Sequence, residues 1–117
     1  ENVYPMEVER VIYEHPAVEV VAVIGIPDPT YGELVKAIIQ LKKSCSLSKK
    51  ELAAFCEVSL ARYKIPAVVD FVNYIPMTGS GKVNKSLLMG KIDMTDKLWK
   101  VIYQLLKINI QKNLFLQ

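Results

Sequence analysis

The sequence predicts a small α+β domain: a three-stranded sheet, mixed or antiparallel, flanked by helices. Three observations point there. Short runs rich in β-branched and apolar residues (Val18 to Ile26, Glu33 to Lys42, Ala67 to Tyr74) are bounded by turn-forming residues. Segments with apolar residues at helical spacing lie before, between and after those runs. The resulting order of helix, strand, strand, helix, strand, Gly-rich loop and helix suits helices layered on one short sheet.

Taken in order, Pro5 to Glu14 reads as a helix. Proline costs nothing in the first turn, Glu7 and Glu9 complement the positive helix end, and Val8, Val11 and Ile12 share a face. His15-Pro16 stops it, because the residue before proline is pushed out of helical geometry. Val18 to Ile26 follows as a strand, and Pro27-Asp28-Pro29-Thr30-Tyr31-Gly32 is turn chemistry. Glu33 to Lys42 returns as a second strand, antiparallel to the first. Ser48-Lys49-Lys50-Glu51 is a capping box in which serine and glutamate satisfy free backbone donors reciprocally. The helix it opens puts Leu52, Phe55, Cys56 and Leu60 on one stripe and ends near Tyr63, ahead of Pro66. Ala67 to Tyr74 is the third strand. Beyond Ser86, Leu98, Trp99, Ile102, Leu105 and Leu106 keep helical spacing among Lys97, Lys100 and Lys107, with Thr95 as a candidate cap. Two regions result: a domain over residues 1–91 and a helical tail over residues 92–117.

Length and composition exclude several classes. A chain of 117 residues, 51% apolar and 23% charged, can bury a real core and is not compositionally disordered. Apolar runs such as Val20 to Ile24 are far too short to span a membrane, and Glu1 to Pro5 shows no secretory pattern. Cys45 and Cys56 lack partners at metal-ligand spacing, so free thiols in a reducing cytoplasm are expected and no metal site is. The net charge is +3, yet residues 1–85 carry ten Lys/Arg against ten Asp/Glu, so the excess sits in the tail. A neutral body offers no clustered basic face for nucleic acid. The first residue is not Met and no linker precedes the first helix, so the chain reads as cut from something larger.

Chemistry concentrates in Thr78-Gly79-Ser80-Gly81-Lys82. Two glycines around a small hydroxyl let the backbone approach a ligand, and the lysine supplies a compact, flexible cation. A phosphate-binding P-loop is excluded, since Pro76 stands where its first glycine belongs and Val83 where its Ser or Thr belongs. From residue types alone, a turn carrying a solvated lysine is the competing reading.

Pro76-Met77-Thr78-Gly79-Ser80-Gly81-Lys82-Val83-Asn84-Lys85 resembles the final signature of the adenylate-forming superfamily, P-x-T-x-x-G-K-x-x-[RK]. Glu1 to Glu9 is similar to that family's G-E-N-V-Y-P-x-E-V-E segment after the interdomain hinge. Val23 to Asp28 with Gly32-Glu33 matches its intervening strand and turn, and Tyr63-Lys64-Ile65-Pro66 its Y-K-x-P segment. The four segments keep the family's order and spacing over residues 1–85, with acyl-CoA and aryl-CoA synthetases the best fit.

The resemblance implies the mobile C-terminal lid of an acyl-CoA synthetase, inactive without the N-terminal AMP-binding domain that is its partner. The full enzyme would join a carboxylic (fatty) acid to CoA using ATP and Mg2+, through an acyl-adenylate, with none of these expected on this piece alone. Lys82 is implied to be the adenylation lysine, presented by Gly79, Ser80 and Gly81. Glu1 and Asn2 are implied to face the thiol channel in the second step. Lys85 stands where many members carry Arg. The tail matches nothing in the pattern. Its apolar stripe suits core or interdomain packing; the alternative is a non-catalytic module whose basic amphipathic tail binds a partner or a membrane surface. His15, the sole histidine, has no nucleophile or second ligand beside it in sequence and is expected to be structural or solvated. Tyr31, Gly32 and Glu33 are expected to serve turn geometry or an interdomain contact, and Tyr63 and Lys64 to end a helix.

Overall fold

Three strands and three α-helices carry the chain in a computed structural model that describes residues 3–116. Helix α1 spans Val3–Tyr13, β1 Val18–Asp28, β2 Gly32–Leu41, α2 Lys49–Glu57, β3 Val68–Val72 and α3 Lys85–Leu116, with a 3₁₀ turn at Arg62–Lys64. Two compact units result, residues 1–83 and 84–117.

The sheet has the order β1-β2-β3 and is mixed. β1 and β2 pair antiparallel, with Val23 opposite Ala37 and Asp28 opposite Gly32, while β3 runs parallel to β2 with Ile38 opposite Asp70. The Asp28 carboxylate closes the first turn by accepting the Thr30 and Tyr31 N–H groups at 2.9 and 2.8 Å. Gly32 follows at φ +81°, a left-handed position that glycine takes without a Cβ penalty. Lys36 on β2 meets Asp70 on β3 at 3.0 Å, tying the parallel pair together.

Alternation along the strands divides the apolar side chains between two faces. Val21, Val23, Val35, Ala37 and Ile39 pack against Val8, Val11 and Ile12 of α1 and Leu52 and Cys56 of α2, with Leu60 completing the cluster. Val20, Ala22 and Ile38 point the other way and are also buried. The segment after β3 returns over that second face: Ile75 is fully buried and its N–H donates to Gln40 Oε1 at 2.8 Å.

Several local expectations are corrected by long-range partners. α1 begins at Val3, so Glu7 and Glu9 lie past its first turn and serve other groups. Glu7 accepts from Lys64 Nζ at 2.7 Å, across 57 residues, and Glu9 Oε1 accepts the Val23 N–H at 3.0 Å. The second contact covers a donor on the open edge of β1. The helix at α2 stops at Glu57 rather than near Tyr63, although its capping box forms as read. Tyr63 and Lys64 therefore belong to a separate 3₁₀ turn, where Lys64 also lies 5.6 Å from the Tyr63 ring. In the second unit, Thr95 is no cap: α3 runs unbroken through it, and its Oγ1 donates to the Lys91 carbonyl at 2.9 Å. The 91/92 boundary lies inside this one helix.

Candidate functional site

The lysine turn is built by its own backbone. Met77 and Val83 pair as an isolated antiparallel bridge, bringing the two ends of the segment together. Inside it the Thr78 N–H donates to the Lys82 carbonyl at 2.6 Å, and the Gly81 N–H donates to the Thr78 carbonyl at 3.1 Å. That reversal needs Gly81 at φ +83°, while Gly79 faces open space. The Thr78 hydroxyl sits within the turn: Oγ1 accepts the Lys82 N–H at 3.2 Å and lies 3.0 Å from Ser80 Oγ. Gly79, Ser80 and Gly81 thus form a closed support that delivers Lys82 at its exit.

Lys82 is exposed, and among the described residues no carboxylate pairs with it. Lys36 and Lys64, by contrast, are held by Asp70 and Glu7 inside the same unit. An outward ammonium on a closed turn can meet an external anion without first breaking an ion pair. That property is what the geometry adds to the sequence reading.

The other singled-out residues fall elsewhere. His15 Nδ1 accepts the Ala17 N–H at 3.1 Å and its ring meets Phe55 edge-on at 4.8 Å, which fixes the turn between α1 and β1. Tyr31, Glu33, Arg62, Tyr63 and Ile65 line one groove of about 600 Å³. Two segments distant in sequence therefore meet there, with Lys64 turned toward Glu7 instead. Cys45 and Cys56 are both free thiols. Glu1 and Asn2, the expected thiol-channel side, lie outside the described residues.

Sequence reasoning missed two groups at the site. Thr78 was read only as part of a signature, and its fourfold bonding within the turn was not anticipated. Asn84 caps α3 through Oδ1, which accepts the Leu87 N–H at 3.1 Å. The signal for Asn84 was available, because asparagine ahead of a helical run is a favoured cap.

Comparison with known proteins agrees with this architecture. Residues 7–82 match the family model of the AMP-binding enzyme C-terminal domain, and the chain belongs to that family. It is 46% identical over 85 residues to a feruloyl-CoA synthase of Amycolatopsis sp, covering 73% of this chain and 17% of that protein. Over 88 residues it is 42% identical to a long-chain-fatty-acid–CoA ligase of Bacillus subtilis (strain 168), covering 75% of this chain and 16% of the relative. Among solved structures, a Mycobacterium tuberculosis fatty acyl CoA synthetase superposes with a TM-score of 0.68 at 41% identity, covering 81% of this chain and 19% of that one. The chain therefore spans about one-sixth to one-fifth of the proteins it resembles.

Proposed function

We infer that this chain is the mobile C-terminal domain of an ATP-dependent acyl-CoA synthetase and that Lys82 is its adenylation lysine. The single observation that carries the reading is the exposed Lys82 ammonium on its closed turn, paired with no carboxylate among the described residues, within a domain of the AMP-binding family. Named relatives that act on long-chain fatty acids and on a feruloyl group support a carboxylic acid substrate, acyl or aryl, with CoA as acceptor.

The chemistry suits one cation. In adenylation a carboxylate oxygen forms a bond to the α-phosphorus of ATP while the bond to the bridging oxygen breaks and pyrophosphate leaves. Both reactants are anions, and negative charge moves toward the leaving group. Lys82 stabilises that arrangement electrostatically once an enclosing N-terminal domain removes water from around it. The thiol then attacks the acyl carbon and AMP departs, a step that needs no ammonium at the former α-phosphate position. One lysine on one turn cannot enclose a nucleotide, so the piece alone is inactive and its partner is its own N-terminal domain. ATP-bound Mg2+ would sit with the nucleotide in that domain. The site of work we assign is the cytoplasm, where Cys45 and Cys56 stay reduced. Among the described residues no helix is long and apolar enough to cross a membrane.

The test is Lys82→Ala in the full-length enzyme. ATP–pyrophosphate exchange should fall by about 10²–10³, by analogy with loss of an oxyanion-hole donor. Thioester formation from supplied acyl-adenylate should stay within about twofold of the parent. Equal loss of both half-reactions removes Lys82 from this role.

A second reading, the non-catalytic module, draws on the exposed Met94, Leu98, Trp99 and Leu105 of α3. It requires liposome co-sedimentation or partner capture that depends on residues 86–117. Equal sedimentation of chains with and without the tail leaves the membrane form of that reading without support.

A further inference from the structure

We propose that Thr78 is the positioning residue for Lys82, an inference that rests on the adenylation reading and refines it. Four contacts within the turn start from this one residue. Its N–H donates to the Lys82 carbonyl, its carbonyl accepts from Gly81, and its hydroxyl accepts the Lys82 N–H and neighbours the Ser80 hydroxyl. The first two are main-chain bonds that many residue types could make. The hydroxyl bonds are specific to the side chain.

Their consequence follows from where they act. The Lys82 N–H is held by Oγ1 and its carbonyl by the Thr78 N–H, at 3.2 and 2.6 Å, so both peptide groups flanking the Lys82 Cα are tethered to one residue. Tethering both peptides fixes the direction in which the Cα–Cβ bond leaves the turn. The long side chain beyond stays free to follow a substrate. Gly79 and Gly81 supply no such restraint, since each adds backbone freedom. A hydroxyl has one proton and two acceptor sites, so Oγ1 can take the Lys82 N–H while donating to Ser80 Oγ. Valine keeps the shape and loses both bonds.

Because thioester formation does not use the Lys82 ammonium, this restraint touches only the first half-reaction. In the full-length enzyme, Thr78→Val should lower kcat for ATP–pyrophosphate exchange by about threefold to tenfold, the effect of one or two lost restraining hydrogen bonds. KM for ATP and the rate of thioester formation from supplied acyl-adenylate should stay within about twofold. Thr78→Ser, which keeps the hydroxyl, should restore exchange. Thermal unfolding of both variants checks that the exposed turn has not cost the fold.

Unchanged exchange in Thr78→Val, a Thr78→Ser variant as slow as Thr78→Val, or equal loss of both half-reactions overturns the proposal. Lys82→Ala measured in parallel separates the two levels. If it abolishes exchange while Thr78→Val does nothing, only the positioning role fails. If it leaves exchange intact, both readings fall.

Discussion

Cys56 is fully buried in the core, and burial pushes its thiol above the ordinary value, because a thiolate there would lose its hydration. A raised folded-state value means the unfolded chain gives up this proton first. The contribution to stability is complete below the unfolded thiol's value and is lost as pH climbs through the folded one. The gap in urea midpoint between the chain and Cys56→Ala should therefore hold near neutrality and narrow above about pH 9. A gap that stays constant into that range would contradict the assignment. Gly25 gives a second test at this scale. The Glu33 side chain lies where a Cβ on Gly25 would stand. Gly25→Ala should cost about 1 kcal/mol, and the cost should shrink by at least about 0.5 kcal/mol in a Glu33→Ala background. Additive losses in denaturant titrations would refute that coupling. At this scale the sequence was informative where chemistry is local: a lysine after two glycines reads directly as an exposed cation on a turn. It misplaced Glu7 and Glu9, read as helix-end charges, because their partners Lys64 and Val23 lie 57 and 14 residues away.

Secondary-structure elements follow the same division. The capping box at Ser48 and Glu51 forms both of its reciprocal bonds, at 3.0 and 3.1 Å. Ser48→Ala should destabilise the first unit by about 1 kcal/mol in urea melts, and a change near zero would show the cap to be redundant. The end of α2 was harder to read. Leu60 keeps the apolar spacing after the helix has stopped at Glu57, because a buried residue in an irregular segment serves the core as well as a helical one. Thr95 misled for a related reason. Hydroxyl residues favour caps, yet inside a helix the same hydroxyl can bond back to the carbonyl four residues earlier, as it does to Lys91.

For the whole molecule, the α+β class and the three strands were legible from β-branched runs and turn residues. The direction of β3 was not, since five residues from Val68 to Val72 carry no sign of parallel or antiparallel pairing. The two units also differ in kind. The first buries one contiguous cluster drawn from α1, α2 and the sheet, whereas α3 leaves Met94, Leu98, Trp99, Val101 and Leu105 more than half exposed. Backbone amides of β2, the strand paired on both sides, should exchange with solvent deuterium only through global opening, and those of α3 beyond Met94 through cheaper local opening. Uniform protection across both units would refute this. Likewise Ile39→Ala should cost about 2–5 kcal/mol and Leu98→Ala under about 0.5 kcal/mol in the isolated chain.

The parallel placement of β3 also bears on how the polypeptide is born. β1 and β2 can zip together as soon as Leu41 emerges, but the far rim of β2 waits for residues 68–72, after α2 has been synthesised. During that interval a row of bare amides and carbonyls faces the crowded surroundings of the ribosome, open to stray strands from neighbouring nascent chains. That interval closes only when the whole connection of residues 42–67, α2 included, and then β3 itself have been added.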